Sequence, residues 1–171
     1  MTATTIDQLS NELHRLGIHF LRFPDQSLET RPLSPVELLA SLASHSEARM
    51  RLALIPLLLW HPEYADAVHL ASRRLASSSR LVLQCYYTAA VLLQQMYSAR
   101  LQTLGASLQP LPDLYSVQLG LPISGSPEQC LAVLANHQSQ FSGQPFNWFG
   151  TYQHAAESFL AYRERELAWI T

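Results

Sequence analysis

Apolar residues recur along this chain at intervals of three and four, the spacing of one helix face, and hardly anywhere in strict alternation. Ile6, Leu9, Leu13 and Leu16 follow Thr5, an N-capping residue type, and precede Gly17, so a first helix is predicted over 5–16. The segment 18–23 is short and apolar enough to be extended, and 24–32 reads as loop. Ser34, Pro35 and Glu37 compose a cap, a first-turn proline and a capping-box acid, opening a second helix with Leu38, Leu39 and Leu42 inside. After the turn Ser44-His45-Ser46, a third helix is predicted over 47–60, with Met50, Leu54, Leu57 and Leu58 as its stripe. Pro56 should kink it near Leu52, because proline removes a donor and crowds the carbonyl four residues back.

His61-Pro62 marks a boundary, and a fourth helix is predicted over 62–75, with Ser77 to Ser79 forming a break and a cap. The fifth helix, 80–104, is expected to be the longest and to be apolar nearly all round, through Leu81, Val82, Leu83, Tyr86, Tyr87, Ala90, Val91, Leu93, Met96, Tyr97 and Leu101. Such a helix belongs inside, with the others packed around it. A long Pro/Gly-containing connection, 105–126, leads to a sixth helix opened by Ser126, Pro127 and Gln129 and ending near Phe141, and then to a seventh from about Asn147 to Trp169. The pattern therefore predicts an all-α fold: one domain over 1–171, a bundle of about seven helices around a long central hydrophobic one. Within it, 33–104 supplies the core helices and 127–171 a C-terminal helical pair.

Composition sharpens this picture in three ways. Hydrophobic residues are 48% of the chain, ample for a core, while charged residues are only 14%, against roughly 25% in ordinary proteins. All 11 cations are arginine, which removes Schiff-base chemistry, a phosphate-loop lysine and a Ser–Lys dyad from consideration. The stretch 81–99 carries no charge, but Gln84, Gln94 and Gln95 would be costly in a bilayer, so a buried helix is preferred to a membrane span. With no secretory leader pattern at the start, a cytoplasmic location is expected.

Chemistry is sparse. Cys85 and Cys130 form no paired metal or redox motif, and Cys85 reads as a small buried hydrophobe. His14 and His19 straddle Gly17, His61 and His69 lie eight apart, and His154 precedes Glu157 by three; none matches a zinc helix or a bundle di-iron site. There is no Gly-x-Ser-x-Gly elbow and no phosphate-cradling glycine loop. No catalytic residue, metal or cofactor is assigned.

Two surfaces remain as candidates. Trp148, Tyr152, Phe159 and Trp169 share a heptad-like stripe with Ala155 and Tyr162 on the seventh helix, suited either to the core or to a protein partner, with Trp169 the expected exposed member. Net charge is −2, which disfavours nucleic acid overall, yet the middle of the chain is mildly basic. Arg49, Arg51, Arg73, Arg74 and Arg80 are the residues a nucleic-acid binder would use, through a helix-turn-helix built from the second and third helices.

The stretches Leu33-Ser34-Pro35 to Glu47-Ala48-Arg49, Leu57-Leu58-Leu59 with His61-Pro62-Glu63, and Tyr87-Thr88-Ala89-Ala90-Val91 with Leu93-Gln94 resemble small uncharacterised all-helical bacterial proteins encoded near nucleotidyltransferase or toxin–antitoxin genes. That resemblance implies an antitoxin-like or accessory subunit and carries no functional residue with it. Arg49, Arg51, Ala53 and Leu57 also resemble the second half of a HEAT-type repeat, without the further copies such an array needs. The function expected is a non-catalytic helical interaction module that binds another subunit or itself. The alternative is a nucleic-acid-binding regulator, and a third reading is an unrecognised enzyme or small-ligand binder with a pocket between the fifth helix and the 105–126 connection.

Overall fold

The computed structural model describes residues 4–19, 31–144 and 146–171; most of the expected 18–23 and 24–32 segments lie outside them. The described residues are helical, without strands. Helix α1 (Ile6–Arg15) begins at a capping box in which Thr5 accepts from the Gln8 amide and Gln8 reaches back to Thr5. It ends where Gly17, at φ +80°, turns left-handed. The amides of Gly17 and Ile18 then bond the His14 and Leu13 carbonyls, the paired closure of a Schellman turn. Helix α2 (Pro35–Ser44) opens on the predicted Ser34–Glu37 box and buries Leu38, Leu39, Leu42 and Ala43.

The predicted third helix is present as two pieces, α3 (Ala48–Leu52) and α4 (Leu54–Trp60), divided at Ala53. Pro56 has no amide to give the Leu52 carbonyl, and the ladder resumes with Leu57 bonding Ala53. The predicted fourth helix is also divided. Pro62–Tyr64 forms a 3-10 turn, and α5 (Ala65–Arg74) follows it, ending one residue before the predicted limit.

Helix α6 (Ser77–Met96) is the centre of the molecule. Every residue from Leu83 to Leu93 is buried, and α2, α3, α4, α5, α8 and α9 all pack on it. Its start differs from expectation: Ser77 to Ser79 are its first turn, not a break, and the N-cap position is Ala76, which has no side-chain oxygen to cap with. Its end differs too. Tyr97 leaves helical geometry at φ −108°, ψ 18°, and the short α7 (Ser98–Thr103) continues beyond it. The longest described helix is consequently not α6, with 20 residues, but α9 (Trp148–Ile170), with 23.

The connection between α7 and α8 (Pro127–Ser142) is a packed strap. Leu111, Tyr115, Leu119 and Leu121 are buried, and the Tyr87 hydroxyl donates to the Pro112 carbonyl at 2.8 Å. Gln94 donates to the Gln109 carbonyl and accepts from the Leu111 amide. Gln94, one of the polar side chains that made this helix unsuited to lipid, therefore fastens the strap to it. No helix among the described residues is long and apolar enough to cross a membrane.

Candidate functional site

Helix α9 is capped by Asn147, whose side chain accepts from the Gly150 amide at 3.0 Å. Its first half is anchored in the core by Tyr152, Ala155, Ala156, Phe159 and Leu160. The Tyr152 ring meets Tyr86 edge-on at 5.6 Å, and its hydroxyl donates to Gln138 Oε1 at 3.1 Å. Burial pushes that phenol well above its ordinary range. Phe159 meets the Trp60 ring edge-on at 5.7 Å.

Past Leu160 the helix leaves the core, and polar clasps replace packing. Arg163 lies over the Trp60 ring at 4.3 Å, donates to the Gly17 carbonyl at 2.6 Å and pairs with Glu166 at 3.0 Å. It thereby ties the end of α1 to α9. On another side of α9, Tyr97 donates to Glu157, and Arg100 forms a two-pronged bond to Glu164 at 2.8 and 3.0 Å. The Arg100 bonds hold the Glu164 carboxyl below its ordinary pKa. Both members of that pair are more than a third exposed, so it contributes roughly 0–1 kcal/mol. It orients the helix end rather than holding it down.

Beyond these clasps the last turn projects. Leu167 is 42% exposed, Trp169 90% and Ile170 83%. Beside them runs an open groove of about 430 Å³ between α7 and α9, lined by Ala99, Arg100, Thr103, Leu104, Leu167 and Ala168. The projecting end and the groove form the candidate site, an apolar surface with mixed charges at its edge.

The predicted aromatic stripe is split by the structure. Tyr152 and Phe159 are buried in the chain's own core and present no surface, and Trp148 is half-buried against Tyr152. Trp169 alone of the four stands in solvent. The reason is geometric: a helix drifts about 20° per heptad from a seven-residue repeat, so three heptads carry Trp169 about 60° away from Trp148, and the body ends before it. Leu167 and Ile170 were not among the predicted residues. Their one signal in the sequence is the apolar run Leu167-Ala168-Trp169-Ile170 directly after the charged quartet Arg163 to Glu166.

The predicted arginines also divide. Arg51 donates to the His45 and Ser46 carbonyls, closing the α2–α3 turn. Arg80 donates to the Ser72 and Leu75 carbonyls, finishing the end of α5. Arg49, Arg73 and Arg74 are exposed, and their guanidinium groups have no hydrogen-bond partner among the described residues. The helix that would enter a groove is nearly all core: Leu54 to Leu59 of α4 are buried.

Elsewhere the candidate chemistry is engaged structurally. Burial pushes the Cys85 thiol up to about 12. His14 and His19 face each other with Nδ1 atoms 2.7 Å apart, and His61 bonds Glu63 and the Leu16 carbonyl. His154 pairs with Ser158, not Glu157. The described residues bring no three metal-ligating side chains together. A cavity of about 230 Å³ does lie between α6 and the strap, the place of the third reading's ligand, lined mainly by apolar residues with Gln95, Asp113 and Ser116. No family model, curated protein or solved structure matches this chain.

Proposed function

We propose that this chain is a helical protein–protein interaction module whose docking element is the projecting end of α9, and that the occupant of that end is a second copy of the chain. The observation that carries the reading is the exposure of Trp169 and Ile170 at 90% and 83%, at the end of a helix otherwise fastened to the body. Tryptophan beside arginine is the composition of interface anchors, and a last turn held only by itself is marginal in water. Arg163, Glu164, Arg165 and Glu166 at the edge carry no net sign that would repel a second copy across a two-fold contact. The neighbouring groove offers each copy a recess for the other's apolar turn. The module then serves as an accessory subunit in a larger assembly; an antitoxin-like role is one form of that.

Sedimentation velocity across the micromolar range tests this. The wild-type chain should sediment as a dimer, and the double variant Trp169→Ala, Ile170→Ser as a monomer with unchanged helical circular dichroism. A wild-type monomer throughout the range, or a dimer indifferent to both substitutions, sinks the self-association reading.

A second reading, nucleic-acid binding, rests on the exposed guanidinium groups of Arg49, Arg73 and Arg74, which have no partner among the described residues. It calls for phosphate contacts along the surface rather than insertion of α4, and for affinity that falls steeply with salt. Absence of binding in low salt removes it.

A further inference from the structure

A cavity of about 360 Å³ opens where the end of α2, the start of α6, the end of α8 and the start of α9 converge. That volume is in the range of small-molecule sites. Its walls include Leu81, Val82 and Phe141 on the apolar side, and Arg51, His45, Ser78 and Ser79 on the polar side, with no carboxylate among the lining residues.

Two donors there are unmet. Gln138 is only 6% exposed; its Oε1 accepts from Tyr152, but its amide nitrogen has no hydrogen-bond acceptor among the described residues. Tyr86 is 1% exposed and lines the same cavity, with its hydroxyl beside the Arg51 guanidinium. The Trp148 indole N–H is enclosed and, like the Gln138 amide, has no partner among the described residues. Buried donors of this kind normally have acceptors, since desolvating one without a partner is unfavourable. Gln138 and Trp148 in one wall indicate an acceptor-bearing occupant.

Charge points the same way. Arg51 is held in the wall by Nη1 bonds to the His45 and Ser46 carbonyls and by the Tyr86 hydroxyl, with no carboxylate to neutralise it among the lining residues. His45 accepts the Glu47 amide on Nδ1, which puts its proton on Nε2 as a donor. The first turn of α6 has no side-chain cap, and its backbone ladder begins only with the Arg80 amide bonding Ala76. The positive end of a 20-residue helix thus borders the cavity beside a fixed guanidinium.

We infer that this cavity is a binding site for a small amphiphilic oxyanion: a carboxylate or phosphate head held by Arg51, the first turn of α6 and the unmet donors, with a short apolar tail against Leu81, Val82 and Phe141. This site is separate from the end of α9 and does not depend on the docking reading. Its occupant is a ligand, and no covalent step is involved.

The test titrates the full chain with phenyl phosphate, phenylacetate and the neutral isostere phenylacetamide, following amide and indole chemical shifts by heteronuclear NMR. Saturable binding of at least one anion is expected, with shifts at Trp148, Gln138 and the first turn of α6 and at least about tenfold weaker binding of the amide. The tighter of the two anions identifies the head group. Ser78→Glu is the decisive variant, because an acid in a helix's first turn favours the helix while repelling an anion. It should keep or raise the melting temperature and weaken binding at least about tenfold. Arg51→Gln should weaken binding similarly. No saturable anion binding, equal binding of phenylacetamide, or binding unaffected by Ser78→Glu would each overturn the inference.

Discussion

The centre of α6 and the end of α9 are both apolar helix, yet they meet opposite fates. Eleven consecutive residues of α6, Leu83 to Leu93, are enclosed by helices on every side and by the strap. The last turn of α9 holds Leu167, Trp169 and Ile170 in solvent, although α9 is the longer helix. The difference is not hydrophobicity but neighbours. The chain provides six helices to surround α6, whereas α9 outruns its supports, α4 and α8, and the Arg163 clasp marks where they stop. An apolar turn left uncovered by its own chain is available to another chain, and that contrast is the basis of the docking reading.

The contrast can be broken most forcefully at its buried pole. Leu83→Ala should cost about 2–5 kcal/mol, since the enclosed site cannot collapse to fill the cavity, whereas Trp169→Ala should leave the monomer's stability within about 0.5 kcal/mol. Urea denaturation of both variants reads the difference; equal losses would mean that the end of α9 is packed after all. Next in size is Gly17→Ala. Gly17 sits at φ +80°, and a Cβ there would run into the Arg163 guanidinium, so the turn and the clasp are both disturbed. A loss of about 1–3 kcal/mol is expected. Arg163→Ala should share most of it in a double-mutant cycle if the clash is the larger part.

The smallest effect is electrostatic and lies at the start of α2. Hydrogen bonds from the Ser34 backbone, then from Arg31 and the Ser34 hydroxyl, hold the Glu37 carboxyl down to about 2. A carboxyl whose folded pKa is depressed stabilises the fold above its ordinary value and loses that contribution as pH falls through the folded one. The stability gap between wild type and Glu37→Gln should therefore be full at neutral pH and shrink from about pH 4.5 towards pH 2. A gap independent of pH would assign the effect to shape rather than charge.

Local signals were well expressed in the sequence. Ser34 with Glu37 and Ser126 with Gln129 both form the capping boxes their spacing indicates, Gly17 closes α1, and Pro56 divides its helix at the place its missing amide dictates. The break at Tyr97 carried no such signal. No proline or glycine causes it, and it coincides with the Tyr97 hydroxyl reaching Glu157, sixty residues away. The Ser77-Ser78-Ser79 run was misleading for a related reason. Serines often cap, but here they begin the helix itself, because Arg80 closes the preceding helix from within the first turn of α6.

The sequence by itself determined that the chain is helical, where most helices begin and which one lies at the centre, because caps, prolines and apolar periodicity act over a few residues. Only the tertiary structure decided which aromatics of α9 are core and which project, and that Arg51, Tyr86, Gln138 and Trp148 border one cavity. Those outcomes depend on where neighbouring helices end. Helix ends distant in sequence meet only through packing, which no local spacing encodes.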